Sequence, residues 1–399
     1  MVVVVFVIAC QPLLSNAEQL DTPTYDAHFH ATFQPEKARV EANIHITQAA
    51  GELVWLEFSA PSTRYHTFKG DGEIHRQGNQ VRWQVPTNGG ALHYIAQIDS
   101  ERSGQYDARI TNDWAIVRLG DLFPPARSGA KGPSRSSLSM DAPKDWRIET
   151  PYGAMTRVRP VSNEARRYDR PTGWAIAGKL AVRRERIADR YVTIASPRHQ
   201  GVRRQDLLAF LRWTLPDLVA VYPALPERLL IVSAGDPMWR GGLSGPASLY
   251  LHAQRPLISE DATSPPLHEL IHVATRRPPE DGDDWIAEGL AEYYSLELLR
   301  RAGGISNKRF NDALEKMRER CAQEGGILSD PSTGINSTRA LLLFYDLDIE
   351  LQNAGSGLDT LVSLLSSGSR LSRGGLNKAA TSLLQGPSES LGSALLEKN

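Results

Sequence analysis

No stretch constrains this chain more than Ser264 to Arg301, SPPLHELIHVATRRPPEDGDDWIAEGLAEYYSLELLRR, which reads as two helices joined by a Pro-, Gly- and Asp-rich turn. Ser264 can cap the first helix, and Pro265 and Pro266 suit a first turn, where a missing N–H costs little. Arg276 and Arg277 fall in its last turn, where positive charge is favoured, and Pro278-Pro279 ends it. Asp283 or Asp284 then caps the second helix, in which the apolar residues Ile286, Leu290, Tyr294 and Leu298 recur every four positions.

The first helix carries His268 and His272 four residues apart, so both imidazoles leave one face a turn apart and can close on a single metal ion. Glu269 follows the first histidine directly. In an H-E-x-x-H pattern this carboxylate is the general base beside a metal-activated water, not a ligand. A site with two neutral histidines needs one more protein donor and should leave a fourth position open, which assigns Glu288 as third ligand to one zinc per chain. Glu292, a turn further on, is placed to fix the tautomer of a ligand histidine. The plain alternative is an amphipathic helix with two partly buried histidines, followed by a surface helix with solvated glutamates.

H-E-L-I-H followed by W-x-x-E-G-x-x-x-Y-Y resembles the gluzincin metallopeptidases, the glycyl aminopeptidase family most and the aminopeptidase N family more distantly. The resemblance implies zinc ligands His268, His272 and Glu288 with Glu269 as catalytic base. Weaker similarity runs over most of the chain, including ARITNDWAIVRLGDLFPP before these helices and ALLLFYDLDIELQ after them.

With 399 residues the chain has room for two domains, and 41% apolar and 23% charged residues are ordinary for a globular protein. A net charge of −1 gives no electrostatic case for nucleic acid or an anionic membrane surface. The interior holds no apolar run long enough to span a bilayer. Cys10 and Cys321 are too few for a disulfide framework. Met1 to Ala9 is MVVVVFVIA, and Val7-Ile8-Ala9-Cys10 resembles a bacterial lipoprotein signal, although no Lys or Arg precedes the apolar run. The rivals are a secretory signal ending near Asn16-Ala17 and a buried strand. Both signal readings, the favoured ones, export the protein to the cell envelope, with membrane contact only through a lipid on Cys10.

The expected fold is α+β: an N-terminal all-β domain, then a thermolysin-like (gluzincin) catalytic domain with a helical C-terminal lobe. The expected boundaries are 1–24 leader and tether, 25–125 β domain, 126–147 linker or mobile loop, 148–303 catalytic domain, and 304–399 helical lobe. Alternating or apolar runs such as AHFHATF, ARVEANIHIT and LVWLEFSA support the first β region. His28 and His30, two apart, lie on one face of a strand and pose the question of a second metal. Ser, Gly and Pro crowd 126–146, which reads as a linker.

Residues 238–254, MWRGGLSGPASLYLHAQ, read as a glycine-opened edge strand ahead of the zinc helix. In the related peptidases such a strand binds extended substrate through main-chain groups, which here assigns Gly241, Gly242, Leu243 and Ser244 to peptide or protein substrate. Those aminopeptidases hold the substrate's free amine with a glutamate after G-G-L, and this chain has Ser244 there, with Asp236 a possible substitute. The family also uses a tyrosine near the oxyanion. The matching segment Ile335 to Thr338 holds none, which leaves Tyr345, Tyr293 and Tyr294 as candidates, the latter two better suited to packing the zinc helices. The expected function is therefore an exported zinc metallopeptidase. The alternative is a protein that keeps the zinc but serves as a binding or scaffolding factor.

Overall fold

The computed structural model describes residues 24–163, 168–324, 328 and 333–396. The expected leader, Cys10 included, lies outside those residues. The N-terminal part is built from three sheets. In the first, the strand order is Arg159–Val161, Ser134–Asp141, Tyr25–Gln34, Arg39–Thr47, Gly89–Gln97, Tyr65–Gly70. Strict alternation drives it: Tyr25, Ala27, Phe29, Ala31 and Phe33 point inward, as do Val40, Ala42, Ile44 and Ile46 on the neighbouring strand. A second sheet runs Gly153–Ala154, Arg147–Thr150, Trp174–Gly178, Trp114–Arg118, Gln105–Ile110, Ser100–Arg102, and a third runs Ala126–Ala130, Leu53–Ser59, Gln80–Gln84, Ile74–Gln77.

Residues 126–147, expected as a linker, are largely strand. Ser134–Asp141 pairs in parallel with Tyr25–Gln34, and Ala126–Ala130 pairs antiparallel with Leu53–Ser59. The period-2 signal was there, but Ser134 and Ser136 occupy two of the four inward positions ahead of Leu138 and Met140, so composition masked it. The expected start of the catalytic part at Ile148 also shifts. Trp146, Ile148, Val161, Tyr168, Ala175 and Ala177 all belong to the first, N-terminal core.

Trp174–Gly178 is buried on both faces and joins the two halves. Ala175 and Ala177 face the N-terminal core, whereas Trp174 and Ile176 pack with Trp114, Ile116, Leu230, Val232 and Tyr250 in a middle core. The fourth sheet follows, in the order Leu180–Ile187, Arg190–Pro197, Arg228–Ala234, Ser248–His252, Gly242–Gly245. Its three inner strands are parallel, and Gly242–Gly245 closes it as an antiparallel edge.

Nine α-helices occur among the described residues: α1 (Leu119–Leu122), α2 (Arg204–Val221), α3 (Pro265–Thr275), α4 (Asp284–Arg301), α5 (Asn307–Glu324), α6 (Ile335–Asn353), α7 (Leu358–Leu365), α8 (Arg373–Leu384) and α9 (Glu389–Leu396). Val192, Ile194, Leu229, Ile231, Leu249 and Leu251 on one face of the fourth sheet share a core with apolar residues of α2 to α8. The architecture is the expected α+β one, β-rich first and helical last. No helix among the described residues is long and apolar enough to cross a membrane.

Candidate metal centre

The centre begins with two helix starts. Ser264, fully buried, caps α3 by accepting from the Leu267 N–H at 3.4 Å, with Pro265 and Pro266 in the first turn. The helix stops at Thr275, one residue short of the expected arginine-rich turn, with Arg276 in the left-handed region at φ +55°. Asp283 sits at the N-cap of α4, but its carboxylate caps no N–H of that helix. It accepts instead from Arg373, through the backbone N–H at 2.7 Å and the guanidinium at 3.2 Å. One residue after Glu288, a Cβ on Gly289 would lie 2.7 Å from the Ala340 Cβ, so glycine there lets α6 pack close against α4.

These helices bring three donors together. The Nε2 atoms of His268 and His272 are 3.0 Å apart, and the two Glu288 carboxylate oxygens lie 3.5 Å and 3.4 Å from them. Four ligands at about 2.05 Å in a tetrahedron are separated by about 3.3 Å, so these spacings fit zinc held by two imidazoles and a carboxylate. The two rings are steeply inclined, at 78°. Among the described residues this is the one group of three or more metal-binding side chains close enough to share an ion. His28 and His30, in contrast, are strand residues bonded to Ser137, Ser139 and Thr32.

Electrostatics agree with a cation site. Burial works against a charged His268, but the Glu288 hydrogen bond and the charges of Glu292 and Glu269 outweigh it and push its pKa up to about 9. Burial alone would raise Glu288, yet the two histidines hold its carboxyl far below the usual range. A cation held by these three side chains would take the place of that proton. Burial pushes the neighbouring Glu269 carboxyl up, partly offset by the histidines and by a hydrogen bond from the Ser244 backbone N–H.

That bond comes from the edge strand Gly242–Gly245. A Cβ on Gly242 would lie 2.5 Å from Glu269 Oε1 and 2.6 Å from its Cγ, so the strand backbone rests on this side chain and any larger residue would have to displace it. The Gly241 carbonyl accepts from the His252 N–H at 3.0 Å. Antiparallel alternation then turns the main-chain groups of Gly242 and Ser244 to the open edge, over Glu269. Trp174 anchors the strand from behind, its indole N–H donating to the Leu243 carbonyl at 2.9 Å.

No known protein family's sequence profile matches the chain, and no curated protein matches it. Solved structures do. An aminopeptidase N family protein from Idiomarina loihiensis superposes with a TM-score of 0.65 at 13% identity, over 86% of this chain and 70% of the other. An M1 zinc metallopeptidase from Deinococcus radiodurans gives 0.59 at 14% identity over 94% of each chain. A mutant of a two-domain M1 zinc metallopeptidase, bound to L-arginine, gives 0.62 at 15% identity over 94% of each chain. This is the two-domain M1 metallopeptidase fold.

On that M1-type frame, the remaining expected residues fall in different places. Glu292 Oε1 is 3.6 Å from His268 Nδ1, beside the ring nitrogen that faces away from Glu288. Tyr293 and Tyr294 are fully buried, and their hydroxyls donate to Asp348 at 2.6 Å and Asp359 at 2.8 Å, so both pack and tie α4 to α6 and α7. Tyr345 packs its ring against Phe310 and under the Arg318 guanidinium, between α6 and α5, not against the imidazoles. Asp236 is held by Arg240 through two contacts, at 2.8 Å and 2.6 Å, so it is already neutralised and offers no open carboxylate for an amine. Sequence reading missed Trp174, whose signal was only an apolar strand.

Proposed function

We propose that this protein is an exported zinc-dependent metallopeptidase that hydrolyses peptide bonds. The observation that carries the reading is the convergence of His268, His272 and Glu288 beside a half-buried Glu269 that lies under an open strand edge. Zinc, when bound, supplies Lewis acidity, polarising a carbonyl and acidifying water. The chain supplies the rest. The outward main-chain groups of Gly242 and the outward carbonyl of Ser244 take an extended peptide by strand addition. Glu269, its pKa raised by burial, accepts a proton from the attacking water and passes it to the departing amine. Glu292 orients the His268 ring.

Ser244 offers no carboxylate to a free amine, and Asp236 is occupied by Arg240. The reading that follows is cleavage that does not depend on a free amino end. A second reading, a zinc-retaining binding protein without turnover, draws on the same Ser244 and on the lack of a tyrosine at Ile335 to Thr338, the start of α6. Mass-spectrometric mapping of cuts in a proteome-derived peptide library separates them. Wild type should cut internal bonds, and Glu269→Gln should lose all cutting while its zinc stays bound. A wild type that cuts nothing favours the binding protein, and a Glu269→Gln variant that cuts normally removes the assigned base.

A further inference from the structure

A group of arginines stands on the face of the fourth sheet opposite α3, running from Arg184 on the far edge strand Leu180–Ile187 to Arg228 at the start of the central strand. Its centre is Glu149, buried and bound by the Arg184 guanidinium. Arg147 and Arg159 also act on this carboxylate, and Arg157 and Arg228 in turn crowd Arg159. Three guanidiniums thus act on one carboxylate and two more act on one of the three, in a chain whose net charge is −1. Four of them, Arg147, Arg157, Arg159 and Arg228, form no ion pair among the described residues. Arg159 spends two donors on the Ala154 carbonyl, at 3.0 Å and 2.8 Å. The Arg228 guanidinium lies 4.9 Å from the centre of the Tyr191 ring, and Tyr191 is 40% exposed. Like charges that act on one another in this way repel, and an anion laid among them is stabilised by each.

Position links this group to the strand. Leu230 pairs with Ser248 and donates its N–H to the Ala247 carbonyl at 3.1 Å, so Arg228, two residues earlier on the same face, comes beside the turn after Gly245. Pro151, two residues from Glu149, and the Pro246 carbonyl both press on Gly173, lying 2.7 Å and 2.5 Å from where its Cβ would be. A polypeptide following the open edge of Gly242–Gly245 therefore leaves it, at the Gly245 end, on the side of the sheet where Arg228 opens the central strand and the arginine group begins. We infer that the arginine group binds an acidic segment of the polypeptide substrate, flanking the bond that is cut. This rests on the peptidase reading and names the substrate class. Planar guanidinium forks suit carboxylates, and continuity with the strand edge favours a peptide over a free anion.

The test uses full-length Glu269→Gln protein purified with zinc, so that binding is read without turnover. Two labelled extended peptides are compared by fluorescence anisotropy, one with a run of Glu, the other with Gln in its place. The Glu peptide should bind about tenfold more tightly at low salt, as several partly exposed charge contacts together allow, and added salt should erode the difference. Arg157→Glu with Arg228→Glu should bring the ratio to about one, and Arg157→Lys with Arg228→Lys should keep most of it. Equal affinities, or a ratio untouched by charge reversal, overturn the proposal. So does arginine-dependent binding of phosphatidylglycerol vesicles without preference for the Glu peptide, which would make the surface a membrane site. Library cleavage by wild type tests the peptidase reading separately, so either can fail alone.

Discussion

Gly242 couples substrate placement to the proposed base at the scale of a single atom. Adding one methyl there meets the Oε1, Cδ and Cγ of Glu269, all on a side chain that can rotate, so the strand should stay folded while the carboxylate is pushed aside. Gly242→Ala should lower kcat/KM by about 10²-fold through this displacement, with zinc content unchanged. Steady-state kinetics with metal analysis checks it, and a fully active variant would show that Glu269 has room the structure denies it. The convergence of His268 and His272 was legible in the sequence, because four-residue spacing on a helix fixes a shared face whatever surrounds it. The placing of Glu292 a turn beyond Glu288 was legible for the same reason. The fate of the tyrosines was less so: Tyr293 and Tyr294 were expected in the core and are there, but their partners Asp348 and Asp359 lie far along the chain. Nothing local shows that Tyr345 turns toward Phe310.

At the scale of elements, the helices after Arg301 were readable from their apolar period, except α9, which that reading did not reach. Its docking depends on a carboxylate from another helix. Glu350 on α6 accepts from the Ser388 hydroxyl at 2.8 Å and from the backbone N–H groups of Glu389 at 2.8 Å and Ser390 at 3.2 Å, at the start of α9. Burial alone would raise its pKa, but these hydrogen bonds outweigh it and hold it below the ordinary 4.5. A depressed carboxyl stabilises the fold fully above that ordinary value, and the contribution is lost as pH falls through the lowered one. Glu350→Gln should therefore cost about 1–2 kcal/mol near neutral pH and much less in acid. Denaturant midpoints at the two pH values test this, and a penalty equal at both would mean that charge is not what holds α9. Ser264 shows the opposite case, a cap readable from sequence alone, whereas Asp283 looked like a cap and serves Arg373 across space.

For the whole molecule, the order of a β-rich part before a helical part was legible, and the joint between them was not. The serine-rich segment after Pro125 enters the first and third sheets, and residues as late as Ala177 complete the first core. A fragment ending at residue 147 would lack Ile148, Val161, Tyr168, Ala175 and Ala177. It is expected to show no cooperative thermal transition by circular dichroism, whereas a sharp one would place the boundary where composition first put it. Pairing between strands distant in sequence has no local trace, and that is why a composition shift was mistaken for a linker.

The account as a whole depends on His268, His272 and Glu288 holding one metal ion. Zinc per chain, measured by mass spectrometry of the purified protein, tests this most directly. One zinc should accompany wild type and Glu269→Gln, and folded His268→Ala and His272→Ala proteins should carry almost none. A wild type that takes up no zinc, or histidine variants that keep a full equivalent, would contradict it.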